Sequence, residues 1–598
     1  MKIPTTPRTD SLSIKSLLRK IPERNLLLVL SLIVGVFSGL AAILLKILIR
    51  LIGNMAADLT AGGGFAYVLY FALPGAGMLL SLLICRFLIR DNIGHGVTKV
   101  LQAVSKNDSR IKPHNTWSSI VTSALTIGLG GSVGAEAPIV YTGAAIGSNF
   151  ARVAGLSYRS MTILLGCGAA GAIAGIFNAP LAGVLFTLEI LLFNISMTSM
   201  MPLLVSSVSA TVVSSLILGR STPFSCTLSP FMMQNIPFYI ILGLFCGACS
   251  LYFTRMTLSL EDRLGVVRNP YLRWAVCAVS LGLLIFLFPP LHGEGYGSLG
   301  MLLNGSEIVF NRPTPLSSLL TTPWSVPLFF LLILVLKVFS MTFTNAGGGV
   351  GGTFGPTLFV GAIAGFVLAR SMNLLLQGSS LSLPEQNFVL VGMAGLMAGV
   401  MQAPMTAIFL IAEITGGYDL FIPLIITATI SFGTIRIFEK YSIYTKRLAA
   451  SGELLTHDSD HSVLTLLKTS ELIENDFSQV NIDDDLGTLV DVVAGSGRNI
   501  FPVLDSRKRF QGYVSLETIR RDMFRTDEYK TLHVFNFMFS APEYVYEGES
   551  MESVMDKFER TGAWNLPVVK ADRTYLGFVS KSKIFSAYRN QLKVLSQD

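Results

Sequence analysis

The stretch Gly130-Gly131-Ser132-Val133-Gly134-Ala135-Glu136-Ala137-Pro138 sets one carboxylate among glycines in the middle of an apolar region. A carboxylate at membrane depth is costly unless it faces a cavity or a partner, which marks Glu136 as a candidate functional residue. The glycines permit an irregular backbone whose NH groups can converge on an anion, and Pro138 opens a helix whose positive dipole end favours negative charge. The simpler alternative is that Glu136 only complements that dipole.

The stretch has a counterpart further along the chain. A shift of 218 residues lays Gly130, Gly131, Gly134, Pro138, Gly143 and Gly147 on Gly348, Gly349, Gly352, Pro356, Gly361 and Gly365. A second set, offset by 224, lays Gly168, Gly171, Gly175, Ala179-Pro180 and Glu189 on Gly392, Gly395, Gly399, Ala403-Pro404 and Glu413. Two related halves follow, at about 25–218 and 236–437. Each holds an odd number of apolar segments, so an inverted arrangement is expected, with the two glycine-rich helix starts approaching each other near the midplane. The counterpart Gly352 to Pro356 has no carboxylate, so a helix start of this kind does not require one. Glu136 is therefore read as a gate.

Composition frames the same conclusion. The 598 residues are 51% hydrophobic and only 14% charged, with a mean hydropathy of +0.58, which is too apolar for a soluble protein. Long apolar runs from Asn25 to Ile52 and from Ala66 to Ile89 read as spanning helices, whereas residues 117–218 break into short segments interrupted by Pro138 and Pro180. Irregular backbone at membrane depth survives only where protein buries it or a polar cavity borders it. The net charge of +7 fits a cytoplasmic Lys and Arg bias better than nucleic-acid binding, since no clustered basic and aromatic motif occurs. Lys2, Arg8, Lys15, Arg19, Lys20 and Arg24 place the N-terminus in the cytoplasm. Cys85, Cys167, Cys246, Cys249 and Cys277 lie in apolar stretches without metal-ligand spacing and read as packing residues. No nucleophile–base pair or metal cluster at diagnostic spacing suggests an enzyme.

After Arg436 charged residues become frequent and apolar runs shorten to strand length. This mixed α/β region also repeats: Asn499 to Asp505 followed by Gly512-Tyr513-Val514-Ser515 recurs as Asn565 to Val569 followed by Gly577-Phe578-Val579-Ser580. Each copy ends in a strand and then a helix opened by its serine.

Together these features resemble the CLC family of chloride channels and anion/proton exchangers, and the C-terminal repeat resembles a tandem CBS pair. The resemblance covers nearly the whole chain. It implies a polytopic all-α membrane protein built as a CLC-type inverted repeat with broken, half-membrane helices, plus a cytoplasmic α/β CBS pair. The corresponding domains are a cytoplasmic segment 1–24, a transmembrane domain 25–447, a linker 448–466, and CBS repeats 467–525 and 526–598. It also implies a homodimer with an anion pathway in each subunit, placed in a bacterial inner membrane, with chloride and protons as partners, chloride as the transported ligand and no certain cofactor.

Gly134-Ala135-Glu136-Ala137-Pro138 is similar to the family's Gly-Arg-Glu-Gly-Pro motif, which sets Glu136 at the gating position and Gly134, Ala135 and Ala137 around the anion. Alanine replaces arginine at 135 and glycine at 137. Gly352-Thr353-Phe354-Gly355-Pro356 keeps the family's Gly-x-Phe-x-Pro motif, and resemblance assigns the Thr353 and Phe354 NH groups to the anion. Gly94-His95-Gly96-Val97-Thr98 matches Gly-Ser-Gly-Ile-Pro weakly, with His95 where the family has a hydroxyl; packing and anion contact both remain open for it. Tyr444 fits the family's Ser-x-Tyr pattern, with Tyr441 as the other possibility.

Asn178-Ala179-Pro180-Leu181-Ala182-Gly183 through Glu189 matches a further family segment, but Ile190 stands where exchangers carry a second glutamate. An aliphatic side chain carries no proton. This favours a passive channel over a chloride/proton exchanger with a water-borne internal route, and a carrier of another anion such as fluoride is a third reading. Glu189 and Glu413 are expected to cap neighbouring loop NH groups. In the CBS pair, Ser515 is followed by Thr518 and Ser580 by Lys583, where the family's ribose-binding pattern ends in Asp. The missing acids argue against adenine nucleotide in that cleft and for a dimerising or structural role.

Overall fold

The computed structural model describes residues 22–60, 65–91, 93–106, 108–191, 197–219, 228–304, 322–377, 382–450 and 467–596. Most of the N-terminal segment 1–24 and of the linker 448–466 lies outside these residues. The chain divides into two compact units, Met1–Leu454 and Leu455–Asp598.

In the first unit the leading half comprises α1 Glu23–Leu59, α2 Phe65–Leu83, α3 Gly96–Lys106, α4 Ser118–Gly128, α5 Glu136–Ala154, α6 Tyr158–Phe177, α7 Pro180–Ile190 and α8 Met197–Leu218. The trailing half comprises α9 Ile236–Gly265, α10 Pro270–Leu287, α11 Tyr296–Leu303, α12 Ser325–Ala346, α13 Phe354–Leu375, α14 Glu385–Met401, α15 Pro404–Thr415, α16 Phe421–Phe438 and the short α17 Lys446–Ala450. Among the described residues nine helices are long and apolar enough to cross a membrane. The apolar α4, α7, α14 and α15 have only 11, 11, 17 and 12 residues. A full crossing takes about 20 residues, so these are the broken helices of the design.

The breaks have local causes. Pro180 and Pro404 open α7 and α15, where a missing NH costs nothing. Asn178 and Gln402, just before them, take left-handed backbone at φ 56° and 54°. Gly130 and Gly348 turn the chain at φ 103° and 98°, a conformation that disfavours any side chain. Within each half the helices approach closely over small residues. A Cβ on Gly143 would run into the carbonyl oxygen of Gly168 in α6, and one on Gly361 into that of Gly392 in α14.

The halves meet through reciprocal contacts, as elements related by a two-fold axis do. Gly134 N donates to Gly352 O at 3.0 Å while Gly352 N donates to Gly134 O at 2.7 Å. Ser132 N donates to Thr344 Oγ1 and Val350 N to Thr126 Oγ1, both at 3.1 Å. Glu189 at the end of α7 accepts from Met405 N (3.0 Å) and Thr406 N (2.7 Å), and Glu413 in α15 accepts from Leu181 N (3.0 Å) and Ala182 N (2.8 Å). These glutamates thus cap the first turn of the opposite half's short helix, not a loop.

The second unit holds two three-stranded sheets of the same topology. In the first, β1 Val480–Asn481 pairs parallel with β2 Ile500–Leu504, which pairs antiparallel with β3 Phe510–Ser515. In the second, β4 Val545–Tyr546, β5 Asn565–Val569 and β6 Tyr575–Ser580 repeat the pattern. Helices α18 Leu486–Ala494, α19 Met551–Thr561 and α20 Lys581–Ser596 accompany them. The repeats exchange edge contacts: Glu474, ahead of the first copy, bridges Phe578 of the second, and Phe539, ahead of the second, bridges Tyr513 of the first.

Candidate functional site

The centre of the first unit is the pair of glycine-rich loops and the helices they launch. The Gly134–Gly352 bridge holds the starts of α5 and α13 together, and residues 130–138 and 350–356 of the two loops are buried. Glu136 is the first residue of α5 and is itself buried. Its Oε2 accepts from Gly355 N, in the first turn of α13, at 3.2 Å, and its Oε1 accepts from Tyr296 Oη at 2.7 Å. A carboxylate therefore sits between two helix N-termini, on a backbone donor of the opposite half. Such a position suits any small anion, because free NH groups and aligned dipoles both favour negative charge.

The structure brings most of the expected site residues to this place. Ala135, Ala137, Thr353 and Phe354 are buried around the two helix starts. The Phe354 ring packs against Phe177 and Phe186 at centroid distances of 5.5 and 6.1 Å. Tyr444 is buried too, and its hydroxyl accepts from Thr353 Oγ1 at 3.1 Å. The phenolic proton is thereby directed to a different acceptor. Tyr441, the other possibility, is only half buried and lies 5.5 Å beneath the Lys440 ammonium. Gly96 packs on Ala137, so α3 also reaches the site, and Thr98 Oγ1 donates to Tyr444 O at 3.4 Å.

His95 lies to one side of Glu136, next to the second loop, whose Gly348, Gly349 and Val350 line the same pocket. Its Nε2 lies 3.3 Å from Glu261 Oε1, in the wall of a pocket of about 900 Å³ that it shares with Arg90, Asp91 and Arg273. None of Glu136, Thr353, Phe354 and Tyr444 lines that pocket. Ile190 is buried at the end of α7.

Three residues at the centre escaped the sequence reading. Glu294 reaches it from the segment between α10 and α11 and Tyr296 from the first position of α11: Tyr296 bonds Glu136, and Glu294 Oε1 accepts from Ala135 N at 2.9 Å. Lys337 of α12 is fully buried, its Nζ donating to Ser132 Oγ (2.8 Å) and Gly293 O (3.0 Å), with the Phe359 ring 4.9 Å away. It sets a lysine side chain against the loop that carries alanine at 135. Lys337 is the single charged residue within Ser325–Ala346, and Glu294 lies between two glycines, Gly293 and Gly295. Those were the available signals.

In the second unit Ser515 Oγ accepts from Thr518 N at 3.4 Å and lies 2.9 Å from Thr518 Oγ1, which caps the single turn Leu516–Ile519. Ser580 and Lys583 line a cavity of about 720 Å³ with Glu474, Arg498 and Trp564. The Ser580 hydroxyl donates to Glu474 Oε1 at 2.5 Å, and Glu474 also takes Arg498 Nη2 at 2.9 Å. The Arg498 guanidinium beside Asp476 holds that carboxyl below the usual carboxylate range. Among the described residues no three His, Cys, Asp or Glu side chains gather to hold a metal ion.

Two interlocked halves of broken helices, closing on a buried carboxylate held between two helix starts, have the architecture of a membrane transport protein. The family model for voltage gated chloride channels matches residues 76–436, and the CBS domain model matches residues 534–590. The chain belongs to this CLC family, which transports chloride, and is an integral multi-pass membrane protein with a C-terminal CBS domain. It is 29% identical over 364 residues to the voltage-gated ClC-type chloride channel ClcB of Salmonella typhimurium, covering 59% of this chain and 81% of that one. It is 26% identical over 448 residues to the H(+)/Cl(-) exchange transporter ClcA of Vibrio campbellii, covering 71% and 90%. The crystal structure of a eukaryotic CLC transporter superposes over 96% of this chain and 99% of its own, at 18% identity and a TM-score of 0.60.

Proposed function

We propose that the protein conducts chloride and similar small anions through a pathway in each subunit of a homodimer, gated by protonation and movement of Glu136. One observation carries this reading: the Glu136 carboxylate occupies a backbone NH of the opposite half, where a halide would otherwise bind. An ionised Glu136 excludes the anion, and protonation removes the charge and lets the side chain leave. Flux then rises as pH falls. The Thr353 and Phe354 NH groups and the Tyr444 hydroxyl form the remaining contacts. Ile190, aliphatic and buried, favours passive conduction over exchange. The named relatives include both a channel and an exchanger, so transport mode is decided by measurement. The N-terminus and the CBS pair face the cytoplasm of a bacterial inner membrane, and the pair acts structurally.

Reversal potential in liposomes under a chloride gradient, with and without a pH gradient, tests the mode. A channel ignores the pH gradient; a shift toward the proton potential establishes exchange. For the gate, E136Q is expected to raise chloride flux at neutral pH to the level the native protein reaches in acid, and to flatten the pH profile. An unchanged profile would assign gating to another residue.

A further inference from the structure

The segment from Leu291 to Tyr296 is laced to the loop ahead of α5 at four points. Ser132 Oγ donates to Leu291 O (2.6 Å), Gly293 N to Gly130 O (3.1 Å), Ala135 N to Glu294 Oε1 (2.9 Å) and Tyr296 Oη to Glu136 Oε1 (2.7 Å). Lys337 fastens the two segments together, with one hydrogen bond to Ser132 and one to Gly293. The outcome of this lacing is that Glu294, like Glu136, rests its carboxylate on a backbone NH at a helix start. The two carboxylates hold different donors: Glu136 takes Gly355 N of α13, and Glu294 takes Ala135 N just ahead of α5.

Glu294 and Tyr296 also line, with Thr60, Tyr70 and His292, a cavity of about 620 Å³, whereas Glu136 does not. An anion moving from this cavity toward Glu136 therefore meets Glu294 first. The cavity holds many times the roughly 30 Å³ share of one water, room enough for a carboxylate that swings back. The charged and titratable groups bearing on Glu294 are Lys46 of α1, Glu136 of α5, Lys337 of α12, and its neighbours His292 and Tyr296. With both carboxylates ionised, an incoming halide would be a third negative charge beside one helix start.

We infer that Glu294 is a second gating carboxylate, in series with Glu136, which holds the Ala135 NH on the cavity side so that an anion binds there only after Glu294 withdraws. The inference rests on the reading of Glu136 as a gate and adds a residue and a binding position to it.

The test uses the purified full-length chain with bromide in place of chloride. E294A removes the competing acceptor and frees Ala135 N. Anomalous scattering from bromide-soaked E294A crystals is expected to show a bromide at hydrogen-bond distance from Ala135 N that the native protein lacks. Calorimetry is expected to show halide binding about tenfold tighter, the scale of one hydrogen bond to a charged group. No bromide at that NH overturns the inference. If E294A does not yield folded protein, E294Q keeps the shape without the charge and is expected to tighten halide binding about threefold; unchanged affinity overturns the inference equally. A pH-insensitive E136Q with no bromide at Ala135 N removes Glu294 alone. An unchanged pH profile in E136Q removes Glu136 and the series arrangement with it.

Discussion

At Glu136 the two carboxylate oxygens have different partners, and the difference suggests how the side chain leaves. Oε2 is held by a backbone NH that moves only with α13, while Oε1 is held by the Tyr296 hydroxyl, which belongs to the segment bordering the cavity. Tyr444 offers a simpler case, because Thr353 already donates to its oxygen. Y444F keeps the ring and deletes the hydroxyl, and is expected to weaken chloride binding about tenfold by calorimetry, the scale of one hydrogen bond to an anion. Unchanged affinity would remove Tyr444 from the site. Glu136 was legible in the sequence because a carboxylate among glycines in an apolar run has few structural uses. Tyr296 was not, because nothing local distinguishes a tyrosine that reaches across the fold from one that anchors a helix. His95 was legible only by alignment to a weak motif, and its engagement with Glu261 depends on a partner 166 positions away.

At the scale of elements, the short helices α7 and α15 depend on each other. Each lacks the length for a full crossing, and each receives from the other half a glutamate that satisfies the NH groups of its first turn. Buried helix starts without such partners are costly. E189A and E413A are each expected to lose about 1–2 kcal/mol, the usual cost of a lost cap, read as a lower Tm in detergent, with similar drops for the two because the contacts are reciprocal. Substitution by glutamine keeps an acceptor and is expected to recover part of the loss. Equal Tm values for E413A and the native chain would show that water satisfies these donors instead. The sequence pairing of Glu189 with Glu413 exposed their equivalence, since a repeat offset is visible in one chain. It did not show that each serves the other's half, because a reciprocal contact exists only once the halves are superposed in space. The shortness of α4, α7 and α15 was likewise foreshadowed by Pro180, Pro404 and the glycine clusters.

At the scale of the whole molecule, duplication is used twice and to different ends. In the first unit the duplicated halves face each other across the Gly134–Gly352 bridge and make one site from two helix starts. In the second, the duplicated sheets exchange edge residues, Glu474 with Phe578 and Phe539 with Tyr513, and the cavity beside Ser580 is already furnished with a Glu474–Arg498 pair. That pair occupies the Ser580 hydroxyl, and no carboxylate stands at 583 to hold a ribose. Titration of the full-length chain with ATP, ADP and AMP is therefore expected to give no saturable heat, and saturation would restore a nucleotide-sensing role. The membrane unit leads to a broader point through its central bridge. Because the Gly134–Gly352 bridge is made of main chain, the meeting of the two helix starts is written in backbone, and alanine at 135 and 137 leaves it standing. Such a bridge is inherited as architecture: descendants can exchange side chains around it without parting the halves, and an engineer wishing to move the halves would have to shift helices, not swap residues.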